Sequence, residues 1–143
     1  MTIARVQERL EGADIRPYTV AAGQTIRKGF PVKLVGGLAQ EISAIGDNGI
    51  GIAQEAGDSA GVAGATLIRV VHWGKGIVKG LVGTGAATQG SFAKYSATGD
   101  GLTDGTIGGA TTKLLCCGQW LEAGAAGEYA GLNLAMASAT VGS

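Results

Sequence analysis

Hydrophobic and polar positions alternate with period two along most of this chain, and glycine-rich steps cut the alternation into short runs. In residues 31–35, Val32 and Leu34 fall on one face and Lys33 on the other, which predicts a half-buried strand. Gly36-Gly37 then gives a two-residue hairpin signal into a strand over 38–42. Asp47-Asn48-Gly49 predicts another turn, because Asn and Gly accept positive φ, and a strand over 50–55 follows it. Residues 66–73 carry the strongest strand pattern, with Leu67, Arg69, Val71 and Trp73 on one face and Ile68, Val70 and His72 on the other, so both faces are expected to be largely covered. Further strands are predicted over 18–22, 76–82, 91–96, 112–120 and 130–136, and small-residue loops over 56–64, 83–90 and 98–109. Many short strands at regular spacing predict an all-β fold, a small β-barrel or β-sandwich with glycine-rich turns.

The first seventeen residues break this pattern. Ile3, Val6 and Leu10 stand at a rough helical spacing, with Arg5, Glu8, Arg9 and Glu11 between them, a stripe too short to hold a helix in water. Pro17 disfavours the helical region for Arg16, so the chain should run extended there. Residues 1–17 are therefore expected to form an extended N-terminal arm and residues 18–143 a single domain.

Composition sharpens the reading. Gly contributes 27 of the 143 residues, but hydrophobic residues are 45% and the net charge is zero, so the glycine marks turns and not disorder. Charged residues are only 15%, with 11 Lys+Arg against 11 Asp+Glu, spread along the chain. That balance leaves no basic patch for a phosphate backbone and excludes nucleic acid as the expected partner. Low charge instead suits a surface that a protein partner covers. No uncharged run is long enough to span a membrane, and the charged first ten residues lack the apolar core of a signal peptide, so a soluble protein made in a cytoplasm is expected.

Candidate chemistry is sparse. His72 is the single histidine and sits between Val71 and Trp73 in a strand pattern, where packing explains it better than catalysis. Cys116 and Cys117 are adjacent, so on a strand they point to opposite faces. They make no disulfide framework, and with one His they fall short of a zinc site. Leu114-Leu115-Cys116-Cys117 reads as a buried strand, not the cationic setting of a reactive thiolate. The glycine loops Gly80-Leu81-Val82-Gly83-Thr84-Gly85 and Gly74-Lys75-Gly76 lack the Lys-Ser/Thr of a P-loop. Asp100-Gly101-Leu102-Thr103-Asp104-Gly105 lacks the third ligand and closing Glu of a calcium loop, so two Asp-Gly turns are expected there. No catalytic, cofactor-binding or metal site is expected.

The order of several short motifs resembles the capsid cement, or head-decoration, proteins of tailed bacteriophages. The motifs are Ile26-Arg27-Lys28-Gly29-Phe30-Pro31-Val32, the Gly36-Gly37 hairpin, Gly51-Ile52-Ala53-Gln54-Glu55, Gly76-Ile77-Val78, and the run from Gly118-Gln119-Trp120-Leu121-Glu122-Ala123-Gly124 to Glu128. The resemblance implies a compact β-barrel-like domain without catalytic residues. It implies a homotrimer bound to the major capsid protein at three-fold or quasi-three-fold positions on the outer face of the virion head, stabilising it against internal DNA pressure. By the same resemblance the arm, with Ile3, Arg5, Val6, Arg9 and Leu10, would lie across neighbouring capsid subunits. Two other classes stand beside it: a ligand- or carbohydrate-binding β module, for which the aromatic residues are few and scattered, and a cysteine hydrolase, for which no partner constellation is present.

Overall fold

The computed structural model describes residues 7–44, 47–62, 64–96, 98–105, 113–136 and 138–141. The described chain is all-β, with one 3-10 turn and no α-helix. In chain order the strands are β1 (Ile15–Thr19), β2 (Thr25–Ile26), β3 (Pro31–Val35), β4 (Leu38–Glu41), β5 (Gly51–Ala53), β6 (Gly57–Asp58), β7 (Leu67–His72), β8 (Ile77–Leu81), β9 (Phe92–Tyr95), β10 (Leu102–Gly105), β11 (Lys113–Cys116), β12 (Gln119–Trp120), β13 (Tyr129–Asn133) and β14 (Ser138–Val141). The 3-10 turn covers Leu134–Met136.

Two five-stranded antiparallel sheets organise the fold, in the orders β1-β7-β5-β3-β4 and β8-β13-β12-β9-β10, with β2-β6 and β11-β14 as two-stranded additions. In each sheet one parallel bridge brings the two outer strands together, Val20↔Ala39 in the first and Val82↔Leu102 in the second. Buried Ile68, Val70, Val32 and Ala53 fill a cluster belonging to the first sheet. Val71, Ile52 and Phe30 instead join Trp120, Leu132 and Leu102 in a larger cluster built from both sheets. The first sheet is thus apolar on both faces, which explains the near-continuous hydrophobic run of β7.

The two sheets are copies of one arrangement. Strands β1, β3, β4, β5 and β7 occupy the places that β8, β9, β10, β12 and β13 hold in the second sheet, and the outer bridges match. The loop bonds match as well: Gly29 N–H donates to Ala53 O at 2.9 Å and Ala53 N–H to Phe30 O at 3.0 Å, while Gly90 N–H donates to Trp120 O at 2.8 Å and Trp120 N–H to Ser91 O at 2.9 Å. The Ile26↔Gly57 pairing of β2 and β6 has its counterpart in the bridge Ala87↔Gly124. The second half is the more eroded copy, keeping a single bridge where the first has two short strands.

Several predicted elements need correction. Strand β1 begins at Ile15, not Tyr18, and Pro17 lies within it opposite Arg69. The run predicted over 112–120 divides into β11 and β12, because Gly118 takes φ +125° between them. The strand predicted to Met136 ends at Asn133 and tightens into the 3-10 turn. Strand β10 lies inside the predicted loop 98–109, and β6 inside the loop 56–64. On β7 the expected coverage of both faces fails at Leu67, which is 52% exposed, and at exposed Arg69.

Candidate attachment surface and the absence of a catalytic cluster

Of the arm residues, Ile3, Arg5 and Val6 lie outside the described residues. Arg9 and Leu10 are held on the domain. Arg9 exchanges two backbone hydrogen bonds of 2.9 Å with Ile77, and Leu10 and Ala13 pack against the larger apolar cluster. Residues 15–17 belong to β1. What the sequence presents as an arm to residue 17 is therefore part of the sheet structure from Arg9 onward. The reason is local: once Pro17 fixes an extended backbone, the segment can pair with β7 along its full length.

His72 ends β7, half-buried. The Tyr18 hydroxyl lies 2.7 Å from its Nε2, the rings stand 5.7 Å apart, and burial pushes the imidazole below its usual range. One of its two ring nitrogens is engaged by a phenol, as in a histidine packed at a strand end. Cys117 is a fully buried cysteine in the larger cluster. No group of three or more His, Cys, Asp or Glu among the described residues could hold a metal ion.

The two aspartates of the Asp-Gly steps tie loops together. Asp100 accepts from Thr84 Oγ1 at 2.6 Å, from Thr84 N–H at 2.9 Å and from Thr98 Oγ1 at 2.7 Å. The Thr84 hydroxyl and amide, followed by the Thr98 hydroxyl, hold its carboxyl well below the usual range. Asp104 accepts from Thr88 N–H at 2.8 Å and Thr88 Oγ1 at 2.6 Å. In the first half Glu41 does the same work, accepting from Arg27 N–H at 2.7 Å and from its guanidinium at 3.0 and 3.1 Å. Carboxylates used this way secure turns and are spent as acceptors.

No protein-family model matches the chain, and no curated protein matches its sequence. A solved structure does match its fold. The crystal structure of the head fiber gp8.5 N base in bacteriophage phi29 superposes with a TM-score of 0.57 at 11% identity, over 87% of this chain and 98% of that one. The likeness takes in almost the whole of the head-fiber base, so the two chains share one fold over nearly their full lengths.

The surface left for contacts is apolar in places. Among the described residues, Ile15, Val35, Leu38, Val62, Leu67 and Tyr129 are large exposed hydrophobic residues. Trp120 and Phe30 are fully buried and Tyr95 nearly so, which withdraws three aromatic rings from any sugar-binding platform. The sequence signal for the matching halves was present and went unused: Glu55-Ala56-Gly57 recurs as Glu122-Ala123-Gly124.

Proposed function

We propose that this protein is a structural component of a tailed-phage head, attached to the outer face of the assembled shell through the major capsid protein. One observation carries the reading: the fold is shared across nearly the full length of a phage head-fiber base. The low charge and the short apolar surface positions suit contacts with protein.

In this reading the protein acts as a homotrimer at three-fold or quasi-three-fold positions, and binding only the assembled shell stabilises it by RT ln(1 + [L]/Kd) per site. By the same reading Ile3, Arg5 and Val6, together with the exposed Arg9, are the residues that reach capsid subunits. Leu10 packs inward and anchors the segment.

Electron microscopy of the purified protein mixed with undecorated heads tests the proposal. Density on the outer face at three-fold or quasi-three-fold positions is expected. Bare heads at saturating protein would overturn the attachment role, and copies restricted to two-fold positions would overturn the trimer.

A further inference from the structure

The matching halves touch each other through a contact whose two sides are repeated, unused, elsewhere on the molecule. Within the chain the turn at Arg27–Phe30 lies against the outer edge of β8. Gly29 O accepts the Leu81 N–H at 3.0 Å. A Cβ at Gly29 would stand 2.8 Å from both Leu81 N and Lys79 O and 3.0 Å from Tyr129 Cε1, so only glycine permits this approach. Lys28 Nζ sits 5.6 Å from the centre of the Tyr129 ring.

Both sides of the contact have counterparts. Gly90 corresponds to Gly29 and shares its conformation, φ +90° against +76°, yet a Cβ there would meet nothing within 4 Å. Its carbonyl holds one hydrogen bond, from Gln119 Nε2 at 2.9 Å, and keeps a second lone pair. On the receiving side, Pro17, Thr19 and Leu67 correspond to Lys79, Leu81 and Tyr129 through the matching registers Thr19↔Leu67 and Leu81↔Tyr129. His72 N–H donates to Asp14 O and Val20 N–H to Thr66 O, so the alternate positions, the Pro17 carbonyl and the Thr19 N–H, point away from β7. Pro17 and Thr19 are exposed, and Leu67 is exposed where Tyr129 supports the internal contact.

We propose that β1 of one copy receives the 88–91 turn of a second copy, as β8 receives the Arg27–Phe30 turn within the chain. Pro17 lacks an N–H, but the bond within the chain is made by the Leu81 N–H, whose counterpart is the Thr19 N–H, and Lys79, the counterpart of Pro17, only places its carbonyl close to Gly29. The contact is heterologous, so chains join head to tail and either close a ring or continue as a filament. Three chains closing would set six equivalent halves in one ring. That would give the proposed trimer its interface, while the contact itself rests on the fold alone and stands whether or not the partner is a phage head.

Crosslinking of cysteine variants tests it. Leu67→Cys and Gln89→Cys place thiols at the counterparts of Tyr129 and Lys28. Oxidation of a mixture of the two variants, near the solubility limit, should give a mixed disulfide dimer above the level seen with either variant alone or with the natural cysteines. In sedimentation velocity, Leu67→Lys should weaken self-association about tenfold or more, whereas Val35→Lys, at an exposed apolar site outside the contact, should leave it unchanged. Absence of the mixed product, equal crosslinking by single variants as in an isologous dimer, or equal effects of the two lysine variants would each overturn the proposal. Head binding is read separately, so its loss or retention does not bear on the outcome.

Discussion

Glu55 and Glu122 hold one position in the two halves. Each carboxylate accepts the N–H of the residue facing it across the sheet, Arg69 at 2.9 Å and Gly131 at 2.8 Å. Each also meets a cation, but from different places: Glu55 pairs with the guanidinium of the same Arg69, and Glu122 with Lys79 at 2.7 Å. The second pair is the more enclosed, its side chains 22% and 12% exposed against 57% and 34%.

Glu122→Ala should therefore cost more than Glu55→Ala. The first leaves a half-buried ammonium and a backbone donor without their acceptor, about 2–3 kcal/mol. The second removes an exposed pair and one backbone bond, about 1 kcal/mol. Urea unfolding of the two variants measures the difference, and equal losses would contradict it.

Gly51, the first residue of β5, and Gly118, just before β12, occupy matching places, and neither tolerates a side chain. A Cβ at Gly51 would overlap the Val71 carbonyl, and one at Gly118 would come within 2.6 Å of Asn133 O, where φ is also +125°. Alanine at either site should destabilise by about 3 kcal/mol or prevent folding. Gly36→Asn, at φ +60° with open space around it, should be neutral or slightly stabilising by the same unfolding measurement.

Acid should weaken the fold in two stages. Burial lowers the His72 pKa, while Asp14 favours and Arg16 opposes the charged form. An unfolded His takes its proton near pH 6.5, so this contribution is present above that pH and declines below it. Asp100 is held low by Thr84 and Thr98, and Glu55 by Arg69. For Asp47, burial raises the pKa, but bonds from Ser43, Lys33 and Ala44 outweigh it. These carboxylates stabilise the fold above the usual range near pH 4, and that stabilisation is lost as pH falls through their lower folded values. His72→Gln should flatten the stability profile between about pH 6.5 and 5, and Asp100→Asn below about pH 4. Unchanged slopes would remove the assignment.

Truncation separates the residues proposed to reach the capsid from those docked on the domain. Deleting residues 1–8 should leave thermal unfolding nearly unchanged and weaken head binding about tenfold, or about 1.4 kcal/mol. Deleting residues 1–16 should lower the melting temperature clearly, because it removes Leu10 and Ala13 from the core and two residues of β1 from its pairing with β7. Equal melting temperatures for the two truncations would contradict the docking of Arg9 and Leu10.

Much of the first sheet was legible because its strands keep bulky alternating residues. Pro31–Val35 and the Gly36-Gly37 turn are where the pattern puts them, and β7 is one residue shorter at each end than predicted. The second half was harder because small residues replace the signal. Strand β10 reads Leu-Thr-Asp-Gly, with one large apolar side chain, and is held by its ladder to β9 and by Asp104 on Thr88. The docking of Arg9 was hidden for another reason: it uses backbone groups, which no side-chain pattern reports. The place of His72 in a strand was legible because its neighbours Val71 and Trp73 carry the alternation, whereas its contact with Tyr18, 54 residues away, was not.

The uneven placement of the tryptophans divides the molecule optically. Trp120 is fully buried in the larger cluster and Trp73 packs against it, while the cluster around Ile68, Val70 and Val32 contains no indole. Intrinsic fluorescence will follow loosening of the second sheet and of the seam between the sheets. If the interior of the first sheet opens alone, Trp120 will stay silent, and only Trp73, whose indole N–H donates to Gly49 O at 2.7 Å, amide exchange or the tyrosine signal of Tyr18 will record it.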